Sequence, residues 1–263
     1  LSTYLFFVMI PLMKKYLLLL LCGWLAGCAT QNPLTDFRFQ TQTVPPYILA
    51  SWYQITAPGE PIRIYIEGDG NAFDITGQPT DNPTPKSPFL REIAAGDTNA
   101  NVAYLGRPCQ YMQAGSCSQT DWTTGRFSPQ VIRSMNQAVE SLRKKAQTND
   151  VILIGYSGGA QVAGLVAVRN PNVKEVITIA GVLDTDAWTA YHHDPALTQS
   201  MNLKNDKSAF DKIKQKHFVG AKDEVVPPAL VQQFVADEST VIIVPKATHA
   251  SGYESIYEQL YEQ

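Results

Sequence analysis

One short run of residues places a serine where it could act as a nucleophile. Residues 155–159 read G-x-S-x-G and directly follow the apolar run 151–154. This pattern is typical of a sharp turn between a strand and a helix, which holds the serine strained with its Oγ exposed. Glycines two positions on either side of Ser157 let neighbouring backbone pack closely. Residues 160–168, which are small and apolar, predict the buried helix that must follow. We therefore expect Ser157 to be a nucleophile rather than a structural turn serine.

A serine hydroxyl needs a base within hydrogen-bond reach and a third group that orients the base. The chain has four histidines, which are His192, His193, His217 and His249. His249 follows the last predicted strand, residues 241–244, and is the candidate base. His217 lies inside a predicted strand and is expected to be a core or edge residue. His192 and His193 lie in residues 184–211, a segment between two predicted strands.

The elements that must position these residues alternate along the chain. Predicted strands cover residues 47–56, 62–66, 101–105, 151–154, 176–180, 216–219 and 241–244, and predicted helices cover residues 89–95, 128–147, 160–168, 227–235 and 253–261. The first two strands are expected to form a hairpin. The alternation predicts an α/β fold with a mostly parallel central sheet and helices on both faces. Residues 184–211 do not fit it, and they form either a small insertion over the active site or a plain surface excursion.

These features resemble the α/β-hydrolase superfamily over nearly all of the chain from about residue 47. The superfamily places its triad in the chain order serine, acid, histidine, which Ser157, Asp223 and His249 follow here. The G-x-x-D turn that ends at Asp223 resembles the acid loop of many members. Asp184 is the second candidate, because some families place the acid after the preceding strand, and Glu224 is the third. The alternative for each carboxylate is a solvated loop position.

The resemblance also implies an oxyanion hole built from two backbone N–H groups. One is expected from Gly158, the residue after the nucleophile. The other is expected from Asp69, because residues 66–70 (I-E-G-D-G) resemble the H-G-x-G motif of esterases. Glu67 stands where that motif usually has histidine, and a glycine-rich turn that binds nothing is the alternative.

The composition limits the possible functions. The chain has 263 residues, of which 44% are hydrophobic and 17% charged, which suits one large domain or two small ones. A net charge of −3 gives no sign of the basic patch or stripe of a nucleic-acid-binding protein. The 17 prolines and 17 glycines favour a loop-rich enzyme over a helical bundle. No metal or cofactor is expected.

The first 28 residues carry the pattern of an export signal. A short basic region at residues 13–15 precedes an apolar run, residues 16–24, that is too short to span a bilayer as a fixed helix. The sequence L-A-G-C at residues 25–28 resembles the bacterial lipobox. That resemblance implies cleavage before Cys28 and lipidation of its sulfur, while an ordinary transmembrane anchor is the alternative.

The lipobox resemblance sets the expected organisation of the chain. We expect an export signal over residues 1–27 with its true start at Met13, a tether over residues 28–45 and an α/β-hydrolase domain over residues 46–263. Ala29 follows the lipidated cysteine, where an aspartate would retain a similar protein at the inner membrane. We therefore expect a lipid-anchored protein on the periplasmic face of the outer membrane.

The remaining cysteines fit export into an oxidising compartment. Cys22 lies in the predicted signal and Cys28 is the predicted lipidation site, which leaves Cys109 and Cys117 as a pair. A disulfide between them would stabilise the fold by about 2–3 kcal/mol. A metal site is the weaker alternative, because no histidine lies nearby in sequence and the spacing exceeds that of a zinc knuckle. A catalytic thiol is weaker still.

We predict a serine hydrolase that cleaves an ester, in the manner of a carboxylesterase, through an acyl-enzyme on Ser157. Its expected partners are a small-molecule or acyl ester substrate and, through the anchor, a membrane. Acyltransferases, peptidases and thioesterases use the same triad and remain alternatives. Outside the enzymes, the alternative is a catalytically silent scaffold that acts as a binding lipoprotein of the envelope.

Overall fold

The structure, a computed structural model, describes residues 33–113 and 116–262. The predicted export signal and Cys28 lie outside the described residues. The described part forms one sheet of eight strands in the order β1-β2-β4-β3-β5-β6-β7-β8. The strands are β1 (Arg38–Val44), β2 (Tyr47–Ile55), β3 (Ile62–Ile66), β4 (Asn101–Leu105), β5 (Val151–Tyr156), β6 (Val173–Ile179), β7 (Lys214–Gly220) and β8 (Val241–Val244).

Seven α-helices connect or follow the strands in the described residues. They are α1 (Phe89–Gly96), α2 (Pro129–Ala146), α3 (Gly158–Ala167), α4 (Thr185–His192), α5 (Lys207–Phe210), α6 (Pro228–Phe234) and α7 (Tyr257–Tyr261). Helix α2 begins as the sequence predicts, because the Ser128 side chain accepts a hydrogen bond from Val131 N–H (3.3 Å) and Pro129 occupies the first turn. None of the helices in the two described ranges is long and apolar enough to cross a membrane.

The sheet confirms the predicted fold class but corrects one pairing. From β4 through β8 all neighbouring strands are parallel, whereas β2 pairs antiparallel with β1 and β4. The predicted hairpin between β2 and β3 is therefore wrong, because β4 lies between them. A short turn after β2 does not force pairing when a later strand fills the neighbouring position.

The predicted tether is also too long. Residues from Pro33 onward belong to the compact domain, and β1 pairs with β2 along all seven of its residues. This strand reads R-F-Q-T-Q-T-V, and only Gln42 and Val44 in it are buried. An edge strand with so few apolar residues lacks the hydrophobic alternation by which strands are recognised in a sequence.

The core lies on both faces of the sheet. Strands β3 and β4 are buried at every position, as expected for parallel strands that are covered on both sides. Helices α2 and α3 pack on one face, through residues such as Met135 and Leu165. Helices α1 and α7 cover the other, through residues such as Ile93 and Leu260. This arrangement holds the carboxyl ends of β3 to β8 along one edge, where the loops that carry the predicted site begin.

Candidate active site

The turn after β5 has the strained geometry that the motif predicts. Ser157 adopts φ 52° and ψ −122°, a region that side-chain-bearing residues rarely occupy and that costs on the order of 1–3 kcal/mol. A Cβ on Gly155 would lie 2.5 Å from Ala160 Cα, and a Cβ on Gly159 would lie 2.6 Å from Glu67 O. Both positions therefore require glycine, because α3 packs directly against β5 and the end of β3.

Ser157, His249 and Asp223 form one continuous series of contacts. His249 Nε2 lies 3.0 Å from Ser157 Oγ, and His249 Nδ1 lies 3.0 Å from Asp223 Oδ2. With the Nδ1 proton donated to the carboxylate, Nε2 is the acceptor for the serine hydroxyl proton. This is the tautomer that a general base at this position needs.

The acid is held by its own loop. The Asp223 side chain is fully buried, and its Oδ1 accepts hydrogen bonds from the N–H groups of Val225 (2.9 Å) and Val226 (2.8 Å). The Lys222 N–H donates to Ala247 O (3.0 Å), which ties the acid loop to the segment that leads into His249. The two loops therefore hold the imidazole and the carboxylate at hydrogen-bond distance from each other.

The two backbone N–H groups predicted for an oxyanion hole lie on facing loops. Within the described residues, neither the Asp69 N–H nor the Gly158 N–H has a hydrogen-bond acceptor. The first N–H groups of a helix are left without an intrahelical partner, and Gly158 opens α3. Both groups are thus available to a substrate oxygen.

The Asp69 side chain lies behind this loop, between two arginines. Its Oδ1 accepts a hydrogen bond from Arg107 Nη1, and its Oδ2 lies 2.9 Å from Arg126 Nε in an ion pair without hydrogen-bond alignment. Burial opposes ionisation of this carboxyl, yet the charges of Arg126 and Arg107 hold its pKa below the ordinary value. The carboxylate occupies the space beside Gly158, where a Cβ would lie 2.7 Å from Asp69 Cγ.

A loop closed by a disulfide supports the same segment. Cys109 and Cys117 are joined by a disulfide bond, which agrees with the predicted pairing. The buried Gln110 in this loop donates from Nε2 to Gly68 O (2.8 Å) and accepts from the Arg107 N–H (3.0 Å). The loop therefore fixes the backbone immediately before Asp69.

The other side of this segment is held by a buried carboxyl. Glu67 accepts hydrogen bonds from the Tyr104 hydroxyl and from the Gly68 N–H (2.9 Å). The Tyr111 hydroxyl lies 2.8 Å from that of Tyr104. Burial raises the pKa of Glu67 above its ordinary value, against the lowering effect of these hydrogen bonds. Glu67 thus serves the loop as a structural anchor in the position where the esterase motif has histidine.

Ser157 and His249 line a cavity of about 340 Å³. Its walls include Phe89, Tyr156 and Trp188 of α4. Trp188 Nε1 donates to Val225 O (2.8 Å), which attaches the insertion to the acid loop. The structure therefore supports the interpretation of residues 184–211 as an insertion over the active site rather than a plain surface excursion.

The remaining candidates lie elsewhere. Asp184 caps α4 by accepting from the Asp186 N–H (2.9 Å), and Glu224 is exposed. His217 is buried, with Nδ1 2.9 Å from Thr178 Oγ1, and burial lowers its pKa to about 4. His192 Nε2 contacts Val225 O (2.8 Å). Within the described ranges no group of three or more His, Cys, Asp or Glu residues is arranged to hold a metal.

Three supporting residues were not predicted from the sequence, namely Arg107, Arg126 and Gln110. Arg107 and Gln110 follow the carboxyl end of β4 and flank Cys109. Their position beside a predicted disulfide and at the same edge of the sheet as Ser157 was the available signal. Arg126 lies in a loop before α2, and the sequence assigned no role to it.

A mostly parallel sheet with a serine, a histidine and an aspartate at its carboxyl edge defines the protein as a serine hydrolase of the α/β-hydrolase class. Residues 97–249, more than half of the sequence, match the serine hydrolase (FSH1) family, and the chain belongs to that family. The matched stretch contains Ser157 and Asp223 and ends at His249. No curated protein sequence matches the chain.

Solved structures of esterases share the fold. Est1E from Butyrivibrio proteoclasticus, with ferulic acid bound, has a TM-score of 0.63 at 13% identity over 85% of this chain and 96% of its own. The esterase domain of a Rhodothermus marinus protein has a TM-score of 0.60 at 15% identity over 86% of this chain and 96% of its own. An esterase from Pyrococcus furiosus has a TM-score of 0.59 at 13% identity, over 87% and 90%. At identities this low, the similarity to these structures shows only that the fold is shared.

Proposed function

We propose that this protein is a carboxylesterase that cleaves small-molecule esters through an acyl-enzyme on Ser157. The series of contacts from Asp223 through His249 to Ser157, in the wall of a cavity, carries the proposal. Ser157 Oγ attacks the carbonyl carbon of the ester while its proton passes to His249 Nε2. Asp223 stays ionised, orients the imidazole and stabilises the imidazolium that forms.

The N–H groups of Gly158 and Asp69 receive the negative charge that develops on the carbonyl oxygen. His249 then gives its proton to the alkoxide oxygen, the ester C–O bond breaks and the alcohol leaves. Water attacks the acyl-enzyme with His249 as the base. The carboxylic acid departs, and Ser157 regains its proton. No metal or cofactor takes part in this sequence.

Hydrolysis of p-nitrophenyl acetate and butyrate by the purified protein tests the proposal. We expect wild-type turnover, and a fall in kcat of about 10⁴–10⁶-fold for Ser157→Ala. Ser251→Ala is the matched control, because Ser251 is exposed and its side chain contacts Thr248 rather than the triad. Equal activity of Ser157→Ala and wild type would reject the nucleophile. Cleavage of thioesters or peptides, but not of oxygen esters, would reject the substrate class.

We also propose that the protein is lipid-anchored at the periplasmic face of the outer membrane, which rests on the basic, apolar and L-A-G-C segments of residues 13–28. Expression of the full chain in a bacterium with an alkyne fatty acid tests this. Labelling of the wild type in the outer-membrane fraction, with loss of the label in Cys28→Ser, is the expected result. Cys22→Ser is the control and should keep the label. Equal labelling of Cys28→Ser and wild type would contradict the anchor.

A further inference from the structure

A second cavity adjoins the one that contains Ser157. It has a volume of about 510 Å³, and the two cavities share Asp69 and Trp188 in their walls. Apolar side chains such as Phe73 and Leu197 line much of it. Because Asp69 carries a proposed oxyanion N–H, one end of an ester held at Ser157 lies beside this second space.

A buried cation lines the second cavity. Only 4% of the surface of Arg126 is exposed. Its Nη1 donates to Thr123 O (3.1 Å), and its Nε lies 2.9 Å from Asp69 Oδ2. Its Nη2 makes no hydrogen bond within the part of the chain that the structure describes. This atom is still accessible to solvent, unlike the Nε atom of the same side chain. The Nη2 amino group of a buried guanidinium is thus left as a donor for a ligand.

The charges around this cation do not cancel. Arg107 and Arg126 share the single carboxylate of Asp69. Glu67, the other buried carboxyl that interacts with Arg107, is hydrogen-bonded to Tyr104 and the Gly68 N–H instead, and burial raises its pKa. A buried charge without a full partner is costly, and an anion that binds there recovers part of that cost.

Two carboxylates on the cavity wall oppose this attraction, and one of them, Asp69, is already paired with both Arg107 and Arg126. Asp194 also lines the second cavity, but it is exposed at the surface and therefore hydrated. Exposed charges interact weakly because water and salt screen them. Arg126, in contrast, is almost entirely buried, so its charge is screened less. Because Asp69 is shared between two arginines and Asp194 is screened by water, the charge that is least compensated on this wall is positive.

We propose that the second cavity is a subsite for an anionic group, so that the enzyme prefers esters that carry a carboxylate on the part that enters it. This inference rests on the proposed esterase function. The carboxylate accepts a hydrogen bond from Arg126 Nη2, and the carbon chain or ring that bears it packs on the apolar wall formed by Phe73 and Leu197. An arginine N–H donated to a carboxylate is a charge-assisted hydrogen bond, which is stronger than a neutral one.

Two pairs of esters of matched size test the subsite and locate the anion. Mono-p-nitrophenyl glutarate against p-nitrophenyl valerate tests the acyl side. 4-Carboxyphenyl butyrate against 4-carbamoylphenyl butyrate tests the alcohol side. In at least one pair we expect kcat/KM for the anionic member to be about 10- to 100-fold higher. This ratio corresponds to the free energy that one charge-assisted hydrogen bond contributes.

Three variants separate the subsite from a general effect on the fold. Arg126→Gln should abolish the anionic preference, mainly through KM. Leu197→Trp, which fills the cavity and leaves the guanidinium in place, should reduce kcat/KM for the preferred anionic ester more than for p-nitrophenyl acetate. Arg169→Gln is the control, because Arg169 pairs with Asp206 (2.7 Å) and lines neither cavity, and it should keep the preference.

Equal kcat/KM within both pairs, in an enzyme that a fluorophosphonate labels, would overturn the subsite and leave the esterase function standing. So would an anionic preference that survives in Arg126→Gln. A folded protein that neither reacts with the probe nor turns over any ester would reject the esterase function and the subsite with it.

Discussion

Replacement of Gly158 by alanine tests how the oxyanion loop is held. The new Cβ would lie 2.7 Å from Asp69 Cγ and nearer still to Asp69 Oδ1, and 3.0 Å from Arg107 Nη1. Carbon atoms in van der Waals contact lie about 3.5–4.0 Å apart, so something must move by about 1 Å. Asp69 cannot simply rotate away, because both of its carboxylate oxygens are paired with buried arginines.

The displacement should reach the loop backbone and withdraw the Asp69 N–H from the substrate oxygen. Loss of one oxyanion donor costs about 10²–10³ in kcat, which corresponds to about 2.7–4 kcal/mol. Since the donor acts on the transition state more than on the bound ester, KM should change little. We therefore expect Gly158→Ala to lower kcat by about two to three orders of magnitude without unfolding the domain.

Steady-state hydrolysis of p-nitrophenyl butyrate, together with thermal unfolding, measures both effects. Gly164→Ala in the same helix is the matched control, because the three atoms nearest its Cβ all belong to the Leu203 side chain, at 2.4 Å and beyond, and none to the oxyanion loop. It should keep kcat, while thermal unfolding reports any cost of the contact with Leu203. A Gly158→Ala enzyme with wild-type kcat would refute the reasoning that Asp69 is held rigidly against the nucleophile turn.

Three further predictions concern the residues that support the site. Gln110→Leu should lower kcat by about 10- to 100-fold with KM nearly constant, because it removes the buried hydrogen bond to Gly68 O that holds the oxyanion loop and the one from the Arg107 N–H that holds Gln110 itself; wild-type kinetics would contradict this role. Replacement of Cys109 and Cys117 by serine should lower the free energy of unfolding by about 2–3 kcal/mol and should also reduce kcat, measured by denaturant unfolding and ester hydrolysis; unchanged values would exclude a supporting role for the disulfide. His217 should make stability fall as the pH drops from 6.5 to about 4, because the unfolded chain binds a proton in that window and the folded chain does not.

The size of the His217 effect follows from its shift. A pKa lowered from 6.5 to about 4 corresponds to about 3 kcal/mol of stability lost below pH 4. Unfolding in urea across this range, for the wild type and for His217→Gln, isolates the contribution as a difference. The same pH dependence in both proteins would show that His217 is not responsible.

Much of the site was predictable because the predicted nucleophile and base follow strongly apolar strands. Ser157 follows β5 and His249 follows β8, and parallel strands bring their carboxyl ends to one edge of the sheet. Chain order and strand position were therefore sufficient to bring distant residues together. The strand Ile62–Ile66, which is apolar at four of its five positions, was located at its correct bounds.

The parts that could not be predicted depend on contacts between distant loops. Arg107 and Arg126 meet at Asp69 only because the segments after β4 and before α2 pack against the loop after β3. The sequence near each of these residues does not indicate that the two arginines contact Asp69. Strand β1 was not predicted for a different reason, since it lies at the edge of the sheet and five of its seven residues are polar or charged.

The central claim is that Ser157 is an activated nucleophile, and mapping of a covalent adduct tests it most directly. After reaction of the purified protein with a fluorophosphonate, trypsin should release residues 146–169, a peptide in which Ser157 is the sole serine. The account predicts a single adduct on this peptide in the wild type and none in Ser157→Ala. An adduct on another peptide, or a folded wild-type protein that stays unlabelled, would contradict it.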